Sequence, residues 1–173
     1  MEQTTLMLLD GFHPEGITRL AKDSIFMMPH LGVLSKVHPR AATEVFTKDC
    51  LIYLGTCIAP VGTAKLGKPC LEYSLTMPDG SKEAGELTYG SIKMYKLAVG
   101  EEAQVSLSPH KNFDVGNGRG VSFKATVHGG TAGLIFDCRG RPLGISEEAE
   151  TRIKLLKSWM TELAVYPSEA LGG

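Results

Sequence analysis

A chain of 173 residues is long enough for one well-cored domain and too short for two full ones. Hydrophobic residues make up 43% and charged residues 21%, and no stretch approaches the ~20 apolar residues that a membrane helix needs, so no membrane is expected as a partner. With 18 basic and 19 acidic residues the net charge is −1, which lacks the basic footprint of a nucleic-acid binder and argues against DNA or RNA.

The chain starts "MEQTTLMLLDGF", with an acid at position 2 and a short apolar core instead of the basic start of a signal peptide, so a cytoplasmic location is expected. "TLMLLD" and "DSIFMMPHLGVLSKV" have helix-compatible apolar spacing, and Pro39 suits the first turn of a further helix through "PRAATEVFTK". One short strand is expected near residues 17–21.

From Cys50 onward the texture changes to short apolar runs bounded by Gly, Pro and Asp: "CLIYLGTCIAPVG", "CLEYSLTMPDG", "GELTYGSIKMYKLAVG", "AQVSLSP", "VSFKATV" and "AGLIFD". Such regular turn signals predict an antiparallel β barrel or sandwich, with a hairpin turn at "PDG" where Pro78 presets φ and Gly80 accepts a positive one. A closing amphipathic helix follows, with Ser146 as cap, Glu147 and Glu148 at its positive end, and Ile153, Leu156, Met160 and Leu163 on a stripe that Leu155 and Trp159 broaden. It should stop before "YPSEALGG", expected as a frayed tail. The predicted fold is α+β: a mainly antiparallel β barrel or sandwich with N-terminal helices and a C-terminal amphipathic helix.

Chemical motifs are sparse. The four cysteines show no CxxC pair and are expected as reduced, partly buried thiols, and the five histidines form no cluster at metal spacing. In "GNGRG", Gly116, Gly118 and Gly120 precede a strand-like run and not a helix, so a glycine-rich β turn is favoured over a phosphate loop. Gly129 and Gly130 read as a bulge or a close backbone approach. "DGFHPEG" resembles the DxHxxG motif of histidine-ligated cobalamin proteins, but Asp10 and His13 are one residue too far apart for it.

The strongest local candidate is "FDCRGRPLG". In an extended segment Asp137, Arg139 and Arg141 share one face, so two guanidinium groups could meet a carboxylate or phosphate of a partner while Asp137 orients one of them. The alternative is an internal Arg–Asp pairing that fixes the turn before Pro142. No catalytic residues are visible.

Taken in order, "MLLDGFHPEGITRLAKDSIFMMPHLGVLS", "CLIYLGTCIAPVG", "FDVGNGRG", "VHGGTAGLIFDCRGRPLG" and "KLLKSWM" resemble the C-terminal part of the glutamate mutase accessory protein family. That family is also called MutL or GlmL, and is unrelated to the mismatch-repair protein of similar name. The chain looks most like members associated with adenosylcobalamin-dependent aminomutases such as ornithine aminomutase. The resemblance implies a chaperone-like ATPase of the actin/Hsp70 superfold that reactivates or assembles a cobalamin-dependent mutase. The family's phosphate and adenosine motifs have no counterpart here, so ATP with Mg and adenosylcobalamin are implied for the full system and no cofactor for this chain alone.

Residues 1–45 are then expected as a helical remnant of the ATPase fold and residues 46–173 as a β-rich domain. The expected function is a non-catalytic interaction domain that docks on the mutase or aminomutase, or on the missing ATPase part or a separate ATPase subunit. The alternative is a small-ligand or nucleotide-contributing domain that completes an ATPase site only with that missing part.

Overall fold

The computed structural model describes residues 2–165. In chain order its elements are α1 (Glu2–Phe12), β1 (Gly16–Asp23), α2 (Met28–Leu34), α3 (Pro39–Val45), a π-helical turn (Phe46–Cys50), β2 (Leu51–Ala59), β3 (Pro69–Thr76), β4 (Lys82–Thr88), β5 (Ile92–Tyr95), β6 (Glu102–Pro109), β7 (Phe123–His128), β8 (Gly133–Asp137) and α4 (Ala149–Glu162). The strands form two four-stranded sheets, ordered β1-β2-β8-β5 and β4-β3-β6-β7. The fold is α+β with two mostly antiparallel sheets. Of the two predicted arrangements a closed barrel is not formed, because among the described residues each sheet ends in two edge strands that find no partner in the other.

The second sheet is antiparallel throughout, and its residues alternate. In β6, Ala103, Val105 and Leu107 are buried while Glu102 and Gln104 face out. Strand β3 joins β4 through the turn expected at "PDG", closed by the Met77 N–H to the Ser81 carbonyl at 2.9 Å, with Gly80 at φ 82°.

The first sheet contains one parallel pair, β2 with β8 in register from Gly55↔Gly133 to Ile58↔Phe136. A parallel pair needs a long crossover. Here it includes the whole second sheet together with β5, which brings the two sheets face to face. Ile58, Leu134 and Phe136 of the first sheet share one core with Leu71, Tyr73, Leu75, Val105, Leu107 and Val127 of the second. The approach at β2 is close enough to require glycine: a Cβ on Gly55 would sit 1.8 Å from the Gly133 carbonyl oxygen, and one on Gly130 2.2 Å from the Leu54 carbonyl carbon. This is the close backbone approach read from Gly129 and Gly130.

Helices α1 and α4 cover the other face of the first sheet, where Leu9, Trp159 and Leu163 pack on Cys57, Ile92 and Ile135. Strand β8 is buried at every position, since both faces of the first sheet are covered. On α4 the buried position is Trp159, followed by Leu163 at the helix's C-cap, while Ile153 (53% exposed) and Leu156 (38%) lie toward solvent. The apolar stripe is therefore rotated toward Leu155 and Trp159. Burying the Trp159 indole satisfies its donor as well, through a 2.6 Å bond to the Gly90 carbonyl. The helix starts after Glu148, whose backbone is extended, so Ser146 is not its cap, and Glu147 and Glu148 precede its first turn. The tail expected at "YPSEALGG" lies outside the described residues.

The sheet runs across the expected division at residues 45 and 46. Strand β1 pairs antiparallel with β2 from Gly16↔Ala59 to Asp23↔Leu51, so β1 belongs to the same sheet as the later strands, and α1 packs on that sheet through Leu9. What stands apart is the connection between them. Residues 24–50, carrying α2, α3 and the π-helical turn, leave the β1–β2 ladder at its end as a helical excursion, in which Leu31, Ala42 and Cys50 are the buried residues.

Candidate functional site

The structure brings Asp137, Arg139 and Arg141 together, and turns them inward. All three are buried, Asp137 completely. Asp137 ends β8, and its carboxylate bonds the two guanidinium groups that follow it. Arg139 donates Nε–H to Oδ1 at 2.9 Å, Nη2–H to Oδ2 at 2.8 Å, and its backbone N–H to Oδ1 at 3.1 Å. Arg141 donates Nη2–H to Oδ2 at 2.8 Å.

Further contacts of the two guanidinium groups reach elements distant in sequence as well as the adjacent Gly140. Arg139 Nη2 also meets the Asp10 carboxylate of α1 at 2.8 Å, and its guanidinium lies 5.1 Å from the Trp159 ring centre on α4. Arg141 bonds the Pro14 carbonyl at 2.7 Å and the Gly140 carbonyl at 2.8 Å. Arg139 Nη1 is buried without a hydrogen-bond partner. The network thus ties α1, the end of β8 and α4 into one unit. Its energetics require the pairing, because an isolated buried carboxylate or guanidinium carries a desolvation cost of several kcal/mol.

Burial alone pushes the Asp137 carboxyl up, but the Arg139 hydrogen bonds and the two guanidinium charges outweigh it and hold the group below the usual carboxylate range. For Arg139, burial works against the charged form, and Asp137 and Asp10 restore it, leaving its pKa above the usual value. Apart from Arg139 Nη1, each guanidinium nitrogen is bonded by the chain's own groups. The internal pairing that fixes the turn before Pro142 is the arrangement present, and neither guanidinium faces solvent.

The glycine-rich loop is organised in the same self-contained way. Asp114 Oδ1 accepts the backbone N–H groups of Gly116 (2.7 Å), Asn117 (3.1 Å) and Gly118 (2.9 Å), which hold its carboxyl below the usual range. With positive φ at Gly116 (110°) and Gly118 (107°), the N–H groups of residues 116–118 converge on one point, as in an anion nest, while Gly120 (69°) turns its N–H to the Phe113 carbonyl at 2.9 Å. The anion in it is the chain's own Asp114. This is the turned β structure expected from the spacing.

Asp10 and His13 are not joined. Asp10 is engaged by Arg139, and His13 sits in the following turn at φ 46°. All four cysteines are free and buried. Burial pushes the Cys57 thiol up, and a hydrogen bond with Cys70 does the same for Cys138, so both stay protonated and unreactive. Among the described residues no group of three or more His, Cys, Asp and Glu side chains could hold a metal ion, and no helix is long and apolar enough to cross a membrane.

Sequence reasoning missed two features of this kind. Asp10 and Trp159 belong to the arginine network, although nothing local in "LLDGF" or "KSWM" couples them to residue 139. At the edge strand β5, Lys93 and Tyr95 share a face, and Tyr95 meets the Tyr73 hydroxyl at 2.5 Å while the Lys93 ammonium lies 5.1 Å from its ring centre. The alternation in "IKMY" was the available signal. A lysine turned inward at a sheet edge also discourages pairing with another strand.

Two grooves remain. One, of about 460 Å³, is lined by Thr5, Met94, Lys96, Leu97, Val99 and Thr131. The other, about 190 Å³, lies between α2 and α3 and is lined by Met28, Leu31, Gly32, Ser35, Ala42 and Phe46. Comparison of the chain with protein-family models, curated proteins and solved structures found no match.

Proposed function

We propose that this chain is a non-catalytic interaction domain of a chaperone-like system that reactivates or assembles an adenosylcobalamin-dependent mutase. What supports the reading is the excursion at residues 24–50. Ile25, Phe26, Met28, Val33 and Val37 are all more than half exposed there, on helices with little core of their own. Helices this short are marginal in water without tertiary packing, and apolar surface on several sides of a helical element is normally covered by another protein. The charged chemistry, by contrast, is consumed inside the body.

The resemblance supplies the partner class: a cobalamin-dependent mutase or aminomutase, or an ATPase part or separate ATPase subunit. Copurification of the tagged chain with a cognate aminomutase and with an ATPase subunit tests it. Retention of one of them by the wild type, weakened at least tenfold by Val33→Asp/Val37→Asp, is the expected result. Retention of neither, or retention unaffected by those substitutions, overturns the reading.

A further inference from the structure

Lys93 is the exception to the pairing of charge inside the body. On β5 it lies beside Phe136, with Tyr95 beside Leu134, and both side chains enter the gap between the two sheets at its open edge. The ammonium is 5.1 Å from the Tyr95 ring centre and 5.9 Å from that of Tyr73 on β3. It is half-buried, and among the described residues no carboxylate pairs with it.

The protons of this cluster outnumber its acceptors. An ammonium carries three and a phenol one, and the acceptors they meet are the two phenol oxygens. Tyr73 is buried, and among the described residues the Tyr95 oxygen is its one acceptor. Its hydroxyl therefore donates to Tyr95, because the reverse would leave the Tyr73 proton buried without an acceptor. The Tyr95 proton is then left to point outward, beside the ammonium. Burial and the Tyr73 bond outweigh the nearby cation and raise the Tyr95 pKa, so the phenol keeps that proton at neutral pH. The Tyr95 and Tyr73 hydroxyls raise the Lys93 pKa in turn, so the positive charge persists as well.

The approach to these donors is open. Strand β4 sets Glu83, Gly85 and Leu87 opposite Leu75, Tyr73 and Leu71, so all three belong to its inward face, yet Glu83 and Gly85 are exposed. The second sheet thus overhangs the first at the β4 edge and leaves a shelf. A Cβ on Gly85 would lie 3.1 Å from the Tyr73 hydroxyl oxygen, so the missing side chain keeps the shelf clear beside the hydroxyl pair.

We propose that Lys93 and Tyr95 bind the carboxylate of a ligand on this shelf, through the ammonium and the outward phenol proton. A charge-assisted pair of donors suits such an oxyanion. One cation balances one negative charge, and Glu83 on the same face adds repulsion, which disfavours a phosphate group carrying roughly two charges. The site lies in the sandwich and stands independently of the role of residues 24–50.

Titration of the full chain with sodium acetate, against sodium chloride of equal ionic strength, tests it by NMR at the Lys93 and Tyr95 side chains. Acetate should give a saturable shift with a dissociation constant on the order of 10 mM, and chloride none. Lys93→Met should raise that constant at least tenfold. Methionine keeps an apolar stem against the rings, so loss of packing would not explain the effect. Tyr95→Phe should raise it at least threefold, and Lys124→Met, at an exposed lysine of β7, should leave it unchanged.

If Lys93 serves only to guard the sheet edge, acetate gives no saturable shift, and the proposal falls. It falls also if phosphate binds more tightly than acetate, or if Lys124→Met weakens acetate as much as Lys93→Met does. Copurification with the aminomutase and the ATPase subunit identifies the source of the carboxylate. Retention weakened tenfold by Lys93→Met assigns it to an acidic side chain of that partner, and unchanged retention to a small carboxylic acid. Acetate binding by a chain that retains neither partner keeps the site and removes the interaction-domain reading. A retained partner without an acetate response does the reverse.

Discussion

Strand β3 buries Cys70, Leu71, Tyr73 and Leu75 between its neighbours and the opposite sheet, whereas residues 24–50 bury Leu31, Ala42 and Cys50 and leave most of their apolar side chains in water. The two regions have similar apolar vocabularies, "CLEYSL" against "SIFMMPHLGVL", and opposite outcomes. In the body, long-range pairing closes around the apolar residues of the facing sheets, and even Asp137, Arg139 and Arg141 find partners inside. In the excursion, the main contacts are among neighbouring helical turns and with the start of β2. The contrast teaches that apolar residues here serve two purposes, holding the sheets together and offering a surface, and that packing tells them apart.

The contrast should be sharpest in amide hydrogen exchange. Backbone N–H groups of β2, β3, β6 and β8 should exchange only through global opening, while those of α2 and α3 exchange through local opening. With a global stability of about 5–15 kcal/mol, the protection factors would then differ by several orders of magnitude. Equal protection of α2 and β3 in the isolated chain at concentrations below any self-association would end the distinction.

A smaller effect tests the body from its arginine network. Arg139→Ala leaves Asp137 buried with Arg141 as its sole cationic partner and should cost about 3–5 kcal/mol in chemical denaturation. The sign of its pH dependence is distinctive. Because Asp137 is held below the unfolded carboxylate value of about 4, its contribution in the wild type is present above that value and is lost as pH falls through the depressed folded one. In the variant the upward push of burial loses its main opponent, and protonating Asp137 relieves the strain. The stability gap between wild type and variant should therefore narrow on acidification below about pH 4. A gap that is constant or widens would show that Asp137 is not held by Arg139. The same substitution in the excursion, Arg40→Ala, should change stability by less than about 0.5 kcal/mol.

The smallest contrast within one element lies on α4, where one helix presents both kinds of residue. Trp159→Ala should cost about 3–5 kcal/mol, and Leu156→Ala, at 38% exposure, about 1 kcal/mol or less. Equal losses would mean that the helix is seated on a different face.

Much of the element sequence was legible from the chain. Turn residues bounded the strands, Pro39 opened α3 at its first position, and the alternation in "AQVSLSP" matched a sheet with one face buried. The choice of sandwich over barrel was not legible, because local patterning records which face of a strand is buried and not whether the last strand returns to the first. The face of α4 was misread for a related reason. The stripe through Ile153 and Leu156 is as apolar as the one through Leu155 and Trp159, and the decision between them came from the Gly90 carbonyl and Arg139, both far away in sequence.

The sequence by itself determined what depends on neighbours along the chain: the strand runs, the "PDG" turn, the glycines that wrap Asp114, and the spacing that puts Asp137, Arg139 and Arg141 within reach of one another. Only the tertiary structure decided which way those guanidinium groups point. An extended "DCRGR" serves equally well to greet an external anion or to bind its own aspartate. The parallel placement of β8 beside β2 buried Asp137 under α1 and α4, and once that carboxylate had left water both arginines were needed to keep it charged.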